Sequence, residues 1–288
     1  MAMSEKWLRR LLPKTPWGDR VFGRYRFYSR LGRFPENPPH RFNDHLFALK
    51  ASGMGYDPLI QYLTDKEYAK QYISSVVGSN FTMETYCILR NKEELKTYVP
   101  DRIPCILKPT HSSGQQMICA DRSGSLDREK LGRWFSINYY SRSREQNYRH
   151  LIPKIIVEEF FSKDGRTVPD DYKVFCFRGV PKFIQVDSGR FSQHTRNLYD
   201  TSWIRLPVTF VYPSRMKDDP KPALLGEMLH VARELSAPFP FVRVDMYSTE
   251  SELRVGELTF CPASATGSLR PAEAEFTLGE HFRCQNAK

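Results

Sequence analysis

The stretch FPFVRVDMYSTESELRVGELTF, residues 239–260, decides the fold that the sequence predicts. Apolar and other side chains alternate in both halves, and a polar turn separates them, which is typical of a β-hairpin with one buried face. Any register that pairs odd-numbered residues with each other brings four side chains together on the opposite face: Arg243, Asp245, Glu257 and Thr259. The hairpin therefore predicts a cluster of two carboxylates, a guanidinium and a hydroxyl.

This cluster has two interpretations. Two carboxylates across a hairpin can hold Mg²⁺ and leave much of its coordination shell to water and phosphate oxygens, as nucleotide sites do. Arg243 beside them would face developing negative charge. The alternative is an ordinary half-exposed hairpin in which Arg243 and Glu257 form a cross-strand ion pair of small value. The hairpin alone leaves both open.

The composition describes a globular chain. It has 288 residues, 40% of them hydrophobic, and a net charge of +10. This length favours one large two-lobed domain or two closely packed ones. No apolar run approaches the roughly 20 residues that span a bilayer, and no leader pattern opens the chain, so we expect a soluble cytoplasmic protein. The cysteines lack metal-site spacing and are expected to be reduced: Cys87, Cys105, Cys119, Cys176, Cys261 and Cys284.

The positive charge is concentrated at the N-terminus. Residues 1–41 hold ten Lys or Arg against three acidic residues. Basic and apolar residues mix over 6–14, so a short amphipathic helix within residues 1–35 can lie on an anionic membrane at the inner face of the cell. A flexible, solvated basic arm is the alternative. No nucleic-acid-binding module is recognisable, and no nucleic acid partner is expected.

Two lysines occupy places where phosphates can bind. Lys66 lies in the first turn of a predicted helix that opens with a capping box of Thr64 and Glu67, beside backbone N–H groups that attract anions. Lys108 ends a predicted strand before the small polar loop 111–114, which can offer hydroxyls and N–H groups to phosphates. A surface lysine and an ordinary hairpin turn are the respective alternatives.

Further candidates lie on neighbouring predicted strands. Segment 154–161 reads KIIVEEFF, and its acids and phenylalanines can form an adenine slot or a solvated strand end. Asp171 and Lys173 share one face of a second predicted hairpin. Residues 187–221 predict a loop-rich stretch whose aromatic and cationic side chains suit a sugar or an anionic acceptor.

In this order the motifs resemble the ATP-grasp superfamily, and more narrowly the TupA-like ATP-grasp family linked to teichuronopeptide and surface-polysaccharide synthesis. The resemblance covers about residues 40–282. Its segments are LTDKEYAKQYI (63–73), ILKPTHSSG (106–114), VEEFF (157–161), DYKVFCFRGVPKFIQVD (171–187), NLYDTSW (197–203), FPFVRVDMY (239–247) and GELTF (256–260).

The resemblance implies an α+β fold of two lobes whose antiparallel sheets grip ATP between them. The expected division is a basic arm over 1–41, a helical segment over 42–100, a small lobe over 101–161 and a C-terminal lobe with the metal site over 162–288. The implied cofactors are ATP and Mg²⁺.

The resemblance also implies the role of each site residue. Contacts to ATP fall to Lys66, Lys108, His111, Ser112, Ser113, Gly114, Glu158, Glu159, Phe160, Phe161 and Asp171. Mg²⁺ ligation falls to Asp245, Glu257 and Thr259, and catalysis to Arg243 and Lys173. Thr259, a weaker neutral oxygen donor, stands where many ATP-grasp ligases have an asparagine.

The implied reaction activates a carboxylate as an acyl phosphate, which an amine captures as an amide. The expected carboxylate is a uronic acid of a cell-surface polysaccharide or its precursor, and the expected amine is an amino acid. Two alternatives remain open: a sugar or glycan kinase on the same scaffold, and a non-catalytic module of glycan biosynthesis.

Overall fold

The computed structural model describes residues 5–120, 126–162, 169–189 and 193–283. This part of the chain contains the α-helices α1 Glu5–Leu11, α2 Pro16–Leu31, α3 Phe42–Ala51, α4 Pro58–Thr64, α5 Lys66–Val77, α6 Lys92–Thr97, α7 Arg128–Trp134, α8 Tyr139–Ser143, α9 Leu225–Ser236 and α10 Ala274–Gly279. Its short 3₁₀ helices are Met54–Tyr56, Ser79–Phe81, Gln146–Tyr148, Pro262–Ala265 and Glu280–Phe282. Its strands are β1 Thr85–Leu89, β2 Cys105–Pro109, β3 Met117–Cys119, β4 Ile155–Glu159, β5 Asp171–Phe177, β6 Val180–Ser188, β7 Thr195–Asp200, β8 Arg205–Leu206, β9 Thr209–Phe210, β10 Phe241–Ser248, β11 Leu253–Thr259 and β12 Leu269–Arg270.

The larger sheet is antiparallel and has the strand order β11-β10-β5-β6-β7-β8. One of its faces is apolar along its length and packs on α9, α4 and α5, because every second side chain of the central strands points to that side. The residues buried there include Val174, Cys176, Ile184, Val186, Val242, Val244 and Met246 from the strands, and Met228, Val231 and Leu235 from α9.

The other face of the larger sheet is divided into two halves. At one end, phenylalanines pack against Phe42 of α3 and Leu278 of α10, and these sheet residues are Phe175, Phe177, Phe183 and Phe241. The same faces of β5 and β10 continue into Lys173 and Asp245, which are register partners. One face thus supplies both an apolar core and a charged surface.

The smaller sheet is also antiparallel, with the order β1-β4-β2-β3. Its apolar face packs on α6 and α7. The core there includes Leu89, Leu95, Leu107, Leu131, Trp134, Ile155 and Val157. Two mixed helix and sheet layers therefore face each other, with the start of α5 beside both.

The hairpin of β10 and β11 has the predicted register. Arg243 pairs with Thr259 and Asp245 with Glu257, so the odd-with-odd prediction is confirmed. The register shifts directly after Asp245, where a β-bulge accommodates Gly256. A Cβ at Gly256 would lie 3.0 Å from the ring of Tyr247, which explains why a residue without a side chain fits there.

Helix α5 begins one residue later than the capping box predicts. Asp65 is its N-cap and accepts a hydrogen bond from the backbone N–H of Glu67 at 2.9 Å. Thr64 is the last residue of α4, and its hydroxyl donates to the carbonyl of Ile60 at 2.7 Å. The prediction of Thr64 as cap is wrong because α4 runs almost directly into α5 and occupies that hydroxyl.

The predicted loop-rich stretch 187–221 contains three strands, so that prediction is wrong in part. Strand β7 pairs with β6 inside the larger sheet, and β8 and β9 follow it. Residues 196–199 of β7 are all buried. A strand buried on both faces lacks the alternation by which sequence patterns reveal strands.

The basic N-terminal segment is folded onto the body of the protein. Arg144, 1% exposed, donates hydrogen bonds to the backbone carbonyls of Arg9, Leu12 and Pro13 and to the carboxylate of Asp19 at 2.7–2.9 Å. The alternative of a solvated arm is therefore wrong for these residues, while the predicted domain boundaries remain a prediction.

The composition also predicted that no segment spans a membrane and that the cysteines are reduced. Within the described ranges, no helix is long and apolar enough to cross a membrane. Five of the cysteines carry free thiols, and Cys284 lies outside the described residues.

Candidate functional site

A cavity of about 390 Å³ lies between the two sheets. The start of α5, the end of β2 and the loop after β2 line one side, and strands β5, β10 and β11 line the other. The structure brings together in this lining the predicted residues Lys66, Lys108, Ser113, Gly114, Asp171, Lys173, Arg243, Asp245 and Glu257. Side chains about 190 positions apart in sequence thus face one space.

Asp245 is the centre of the charge cluster on the larger sheet. Its carboxylate accepts two hydrogen bonds of 2.6 Å from the guanidinium of Arg243 and one of 2.9 Å from the ammonium of Lys173. Lys173 also donates to Asp171. Burial opposes ionisation of Asp245, but Arg243 and Lys173 outweigh it and lower the pKa of this carboxyl. Asp245 is therefore a carboxylate at neutral pH.

Glu257 stands opposite Asp245 and has a different partner. The hydroxyl of Thr259 donates to Glu257 Oε1 at 3.1 Å and accepts from Arg243 Nη2 at 3.2 Å. Thr259 thus bridges the guanidinium and the second carboxylate. Thr259 lines a neighbouring cavity of about 750 Å³. Arg243 and Glu257 line this second cavity as well.

The donor set of the hairpin fits Mg²⁺. Asp245, Glu257 and Thr259 offer only oxygen atoms, which are the ligands that this ion prefers, and Mg²⁺ commonly takes one or two carboxylates and fills its shell with water and phosphate. Across the described residues, no group of three or more His, Cys, Asp or Glu forms a closed metal site. The hairpin is therefore suited to an ion shared with a phosphate ligand.

On the smaller sheet, Glu158 is held by two lysines. Its carboxylate accepts from Lys108 Nζ at 2.5 Å and from Lys70 Nζ at 2.7 Å, and the residue is 3% exposed. Burial alone would raise the pKa of Glu158, but the two ammonium groups lower it to about 2. The side chain of Glu158 is thus engaged in a structural ion cluster behind the cavity.

Lys70 belongs to this cluster and was not among the predicted residues. It lies four positions after Lys66 on α5, so both project from one face of the helix. Burial lowers the pKa of the Lys70 ammonium, and Glu158 opposes that change. The spacing of four within the helix was the sequence signal that could have found it.

Lys66 connects the two halves of the site. Its ammonium donates to the backbone carbonyl of Ser112 at 2.6 Å. Burial lowers the pKa of Lys66, and the charge that opposes this change most strongly is Glu257 of the other sheet. A buried lysine whose positive charge is poorly compensated by the protein favours the binding of an anion.

Other predicted residues lie outside the first cavity. His111 and Ser112 are buried, with His111 Nε2 3.2 Å from the carbonyl oxygen of Trp134, and burial lowers the pKa of this imidazole. Glu159, Phe160 and Phe161 line a separate cavity of about 510 Å³. Their assignment to adenine stays a prediction.

Asp187, His194, Arg196 and Tyr212 are among the residues of the first cavity that were missed as site residues. Asp187 accepts from Arg196 Nε at 2.6 Å and Nη2 at 3.0 Å, across the pair of β6 and β7. The ring of His194 contacts that of Tyr212 in a tilted arrangement, with ring centroids 3.8 Å apart. All four line the cavity beside Lys173. Asp187 is the last residue of the segment 171–187 that resembles the family. Its partner Arg196 lies on strand β7, which the sequence did not predict.

Solved structures of similar chains include two D-alanine–D-alanine ligases. The one from Bacillus anthracis is 15% identical, with 77% of this chain and 66% of that chain covered and a TM-score of 0.44. The one from Helicobacter pylori is 14% identical, with 76% and 60% covered and a TM-score of 0.44. The ATP-grasp ligase PsnB, complexed with a phosphomimetic variant of its minimal precursor, Mg and ADP, is 11% identical, with 78% and 60% covered and a TM-score of 0.42.

The chain spans 60–66% of the length of these three structures. A comparison with curated proteins finds no match. The model of the TupA-like ATP-grasp family matches residues 48–283, which is most of the chain and includes every residue of the cavity. The expected mixed fold with antiparallel sheets is confirmed, and this chain belongs to the TupA-like ATP-grasp family.

Proposed function

We propose that this chain is an ATP-dependent carboxylate–amine ligase. The observation that supports it is one cavity in which Lys66 and Lys108 face Arg243, Asp245 and Glu257. Transfer of a phosphoryl group depends on positioning and on neutralising charge, which requires cations and metal-binding carboxylates around the same phosphates. The cavity offers both sets.

The triphosphate of ATP lies against the lysines of the smaller lobe in this proposal. Lys108 shares its charge with Glu158, whereas Lys66 has a neutral carbonyl as its hydrogen-bond acceptor. Lys66 is therefore the stronger candidate for a direct phosphate contact. Ser113 and Gly114 border the same cavity, and backbone N–H groups of such a loop can add neutral donors.

The hairpin carboxylates would hold the metal ion. Asp245 and Glu257 supply charged oxygens, and Thr259 a neutral one. When bound there, Mg²⁺ would neutralise part of the phosphate charge. Arg243 already contacts Asp245 and Thr259 and can orient the γ-phosphate from the side of the larger sheet.

The proposed reaction has two steps. A carboxylate oxygen of the acceptor attacks the γ-phosphorus, the bond from that phosphorus to the bridging oxygen breaks, and ADP leaves. The nitrogen of an amine then attacks the acyl carbon, the bond to phosphate oxygen breaks, and inorganic phosphate leaves with the proton that nitrogen loses. An amide, ADP and phosphate are the products, and Arg243 and Lys173 are the residues placed to stabilise the phosphate charge in both steps.

We propose a uronic acid of a cell-surface polysaccharide or its precursor as the carboxylate and an amino acid as the amine. The sequence resemblance supports this class of acceptor, and the net charge of +10 suits an acidic polymer.

The test uses the full chain with Mg·ATP, a galacturonic acid oligomer and hydroxylamine in place of the amine. Hydroxylamine captures an activated acyl group whichever amine is natural, so we expect a hydroxamate together with release of ADP. A mixture of amino acids should then give products heavier by one amino acid minus water. A phosphorylated product that resists hydroxylamine would support the kinase alternative. ATP binding without turnover for any acceptor would support the non-catalytic one.

We also propose that α1 contacts the anionic inner face of the membrane. Trp7 and Leu11 are exposed on this helix, and Lys6 and Arg10 are exposed beside them. Aromatic and basic side chains together favour binding to anionic lipid surfaces. The double variant Trp7→Ser/Leu11→Ser should lose binding to phosphatidylglycerol vesicles while its ADP release in solution is unchanged. Vesicle binding equal to that of the natural chain would contradict this contact.

A further inference from the structure

The cavity of about 750 Å³ beside the ATP cavity has no role assigned so far. It shares Ser113, Gly114, Gln115, Arg243 and Glu257 with the first cavity. The two spaces therefore meet at the guanidinium proposed to orient the γ-phosphate and at a carboxylate proposed to hold the metal ion. A molecule in the second cavity can present a reacting group at that junction without entering the space of the nucleotide.

The outer wall of the second cavity is rich in arginine. Arg26 and Arg30 come from α2 and Arg142 from α8, and the acidic residue of this wall is Glu145. Glu145 Oε1 accepts from the hydroxyl of Ser264. The outer wall thus carries more positive than negative charge. Arg243 adds a further positive charge where the two cavities meet.

These arginines are not fully compensated by the protein. Arg26 donates two long hydrogen bonds of 3.4 Å, to the carbonyl of Ser143 and the hydroxyl of Ser264, and its buried Nε lacks a hydrogen-bond partner among the described residues. Arg30 and Arg26 share one acidic neighbour, Glu5, at 3.4 and 3.8 Å. Arg26 is partly buried and Arg30 is exposed, and guanidinium groups with only long contacts to the protein favour a ligand that carries negative charge.

The N-terminal helices hold this wall in place. Besides Arg144, the hydroxyl of Tyr140 donates to both oxygens of Asp19 at 2.9 and 3.0 Å, so α2 is fixed to α8 by a buried network. A Cβ at Gly18 would lie 2.1 Å from the carbonyl oxygen of Pro13, which shows how closely the chain folds back there. The basic N-terminal segment therefore forms a fixed part of the cavity wall.

The opposite wall is also specialised. Directly after β11, the residues Ala263, Ser264 and Ala265 have left-handed backbone conformations, with φ of 48°, 57° and 60°. Such conformations are unfavourable for residues other than glycine and persist where the surroundings enforce them. Ser264 receives hydrogen bonds from Lys50 and Arg26, so this strained turn faces the arginine wall.

We propose that the second cavity binds the acceptor, and that this acceptor carries several carboxylates. One carboxylate reaches Arg243 at the junction, and its neighbours along the acceptor bind Arg26, Arg30 and Arg142. This inference rests on the proposed function, because the junction is the place of phosphoryl transfer only if ATP occupies the first cavity.

The test measures binding of a galacturonic acid hexamer to the full chain by calorimetry, without turnover. The variant Arg30→Gln/Arg142→Gln should bind the hexamer about tenfold more weakly, or about 1.4 kcal/mol, and should bind the ATP analogue AMP-PNP as before. Arg26 is left intact because it also contacts Ser264. The matched control is Arg10→Gln/Arg24→Gln, which removes two charges from the same N-terminal helices outside the cavity and should bind the hexamer normally.

Three outcomes would overturn the acceptor site. They are equal weakening by both double variants, equal binding of a neutral glucose hexamer, and no binding of the acidic hexamer to the natural chain. Failure of the ligase proposal gives a different result. If hexamer binding depends on Arg30 and Arg142 but no amide or hydroxamate forms, the acceptor site is supported and the ligase reaction is contradicted.

Discussion

Glu158 and Glu257 are glutamates on facing sheets, and their surroundings differ in the number of cations. Glu158 lies on the interior strand β4, is 3% exposed and accepts from the ammonium groups of Lys70 and Lys108. Glu257 lies on the edge strand β11, is half-buried and accepts from a neutral hydroxyl. A carboxylate that is neutralised by two lysines stabilises the lobe, whereas one with a neutral partner keeps its charge for a ligand.

The comparison also separates the two lobes. In the smaller lobe, the cluster around Glu158 ties α5 to β2 and β4, so its charges set the position of Lys66 at the start of the helix. In the larger lobe, the charges of Arg243 and Asp245 lie on the cavity lining itself. In the proposed function, the ion pairs of the smaller lobe thus position Lys66, whereas the ion-paired residues of the larger lobe contact the phosphates or their metal ion.

The largest effect is expected on stability, for Glu158→Gln. The neutral amide leaves two ammonium groups without their anion, and breaking a buried pair in this way costs about 3–5 kcal/mol of unfolding free energy. Urea unfolding followed by tryptophan fluorescence measures it. The control is Glu129→Gln, which breaks the exposed pair with Arg133 and should cost less than about 1 kcal/mol. Equal losses for both variants would contradict the structural role of Glu158.

The pH dependence of stability should show the same carboxylate. The folded pKa of Glu158 is about 2, below the ordinary 4.5, so its contribution is present above pH 4.5 and is lost as the pH falls towards 2. At about 1.4 kcal/mol per pH unit this amounts to about 3 kcal/mol. The stability gap between the natural chain and Glu158→Gln should therefore narrow on acidification below pH 4.5.

In the stability difference between the natural chain and Glu158→Gln, the contributions of other titrating groups cancel. The pKa of Asp187 is also lowered to about 2 by its pair with Arg196, against the opposing effect of burial. Because Asp187 is present in both proteins, its contribution cancels in the difference. A gap that stays constant down to the acid transition would show that Glu158 does not titrate as its ion pairs require.

Glu257→Gln should lower activity and leave the fold intact. Glu257 lines the cavity, and replacing this proposed metal ligand by an amide should reduce ADP release about 100-fold, or about 2.7 kcal/mol. Unfolding free energy should change by less than about 0.5 kcal/mol, because Glu257 is half-buried and its hydrogen bond comes from the neutral hydroxyl of Thr259. Glu250→Gln, in the exposed turn of the same hairpin, is the control. Undiminished ADP release by Glu257→Gln would remove it from the metal site.

The register of the hairpin could be predicted from the sequence because alternation is a local property of the chain. The pairing of Arg243 with Thr259 and of Asp245 with Glu257 follows from it. The ion cluster of Glu158 could not, because it depends on how α5 docks against β4, 88 positions away in sequence. Side chains on separate elements meet only when the tertiary packing is known.

Two other features escaped sequence reasoning for physical reasons. Strand β7 is buried on both faces and has no alternation. The N-terminal helices look like a solvated basic segment because their anchor, Arg144, lies more than 120 positions further along the chain. Charge in the sequence therefore indicated a surface segment where the structure has a cavity wall.

The smallest effect is expected for Thr259→Val, which tests how the charge of Glu257 is positioned. The hydroxyl of Thr259 accepts from Arg243 and donates to Glu257, so valine removes a bridge while it keeps the shape and leaves both charges in place. The loss of one hydrogen bond, about 1 kcal/mol, corresponds to a roughly fivefold higher Mg²⁺ concentration for half-maximal ADP release. Thr259→Ser retains the hydroxyl and should keep the natural Mg²⁺ dependence. Thr259→Asn offers a stronger neutral oxygen donor and should lower the Mg²⁺ requirement if that side chain is a ligand. Equal Mg²⁺ dependence of the valine and serine variants would show that Glu257 is oriented by the strand alone, and that the hydroxyl contributes nothing to the metal site.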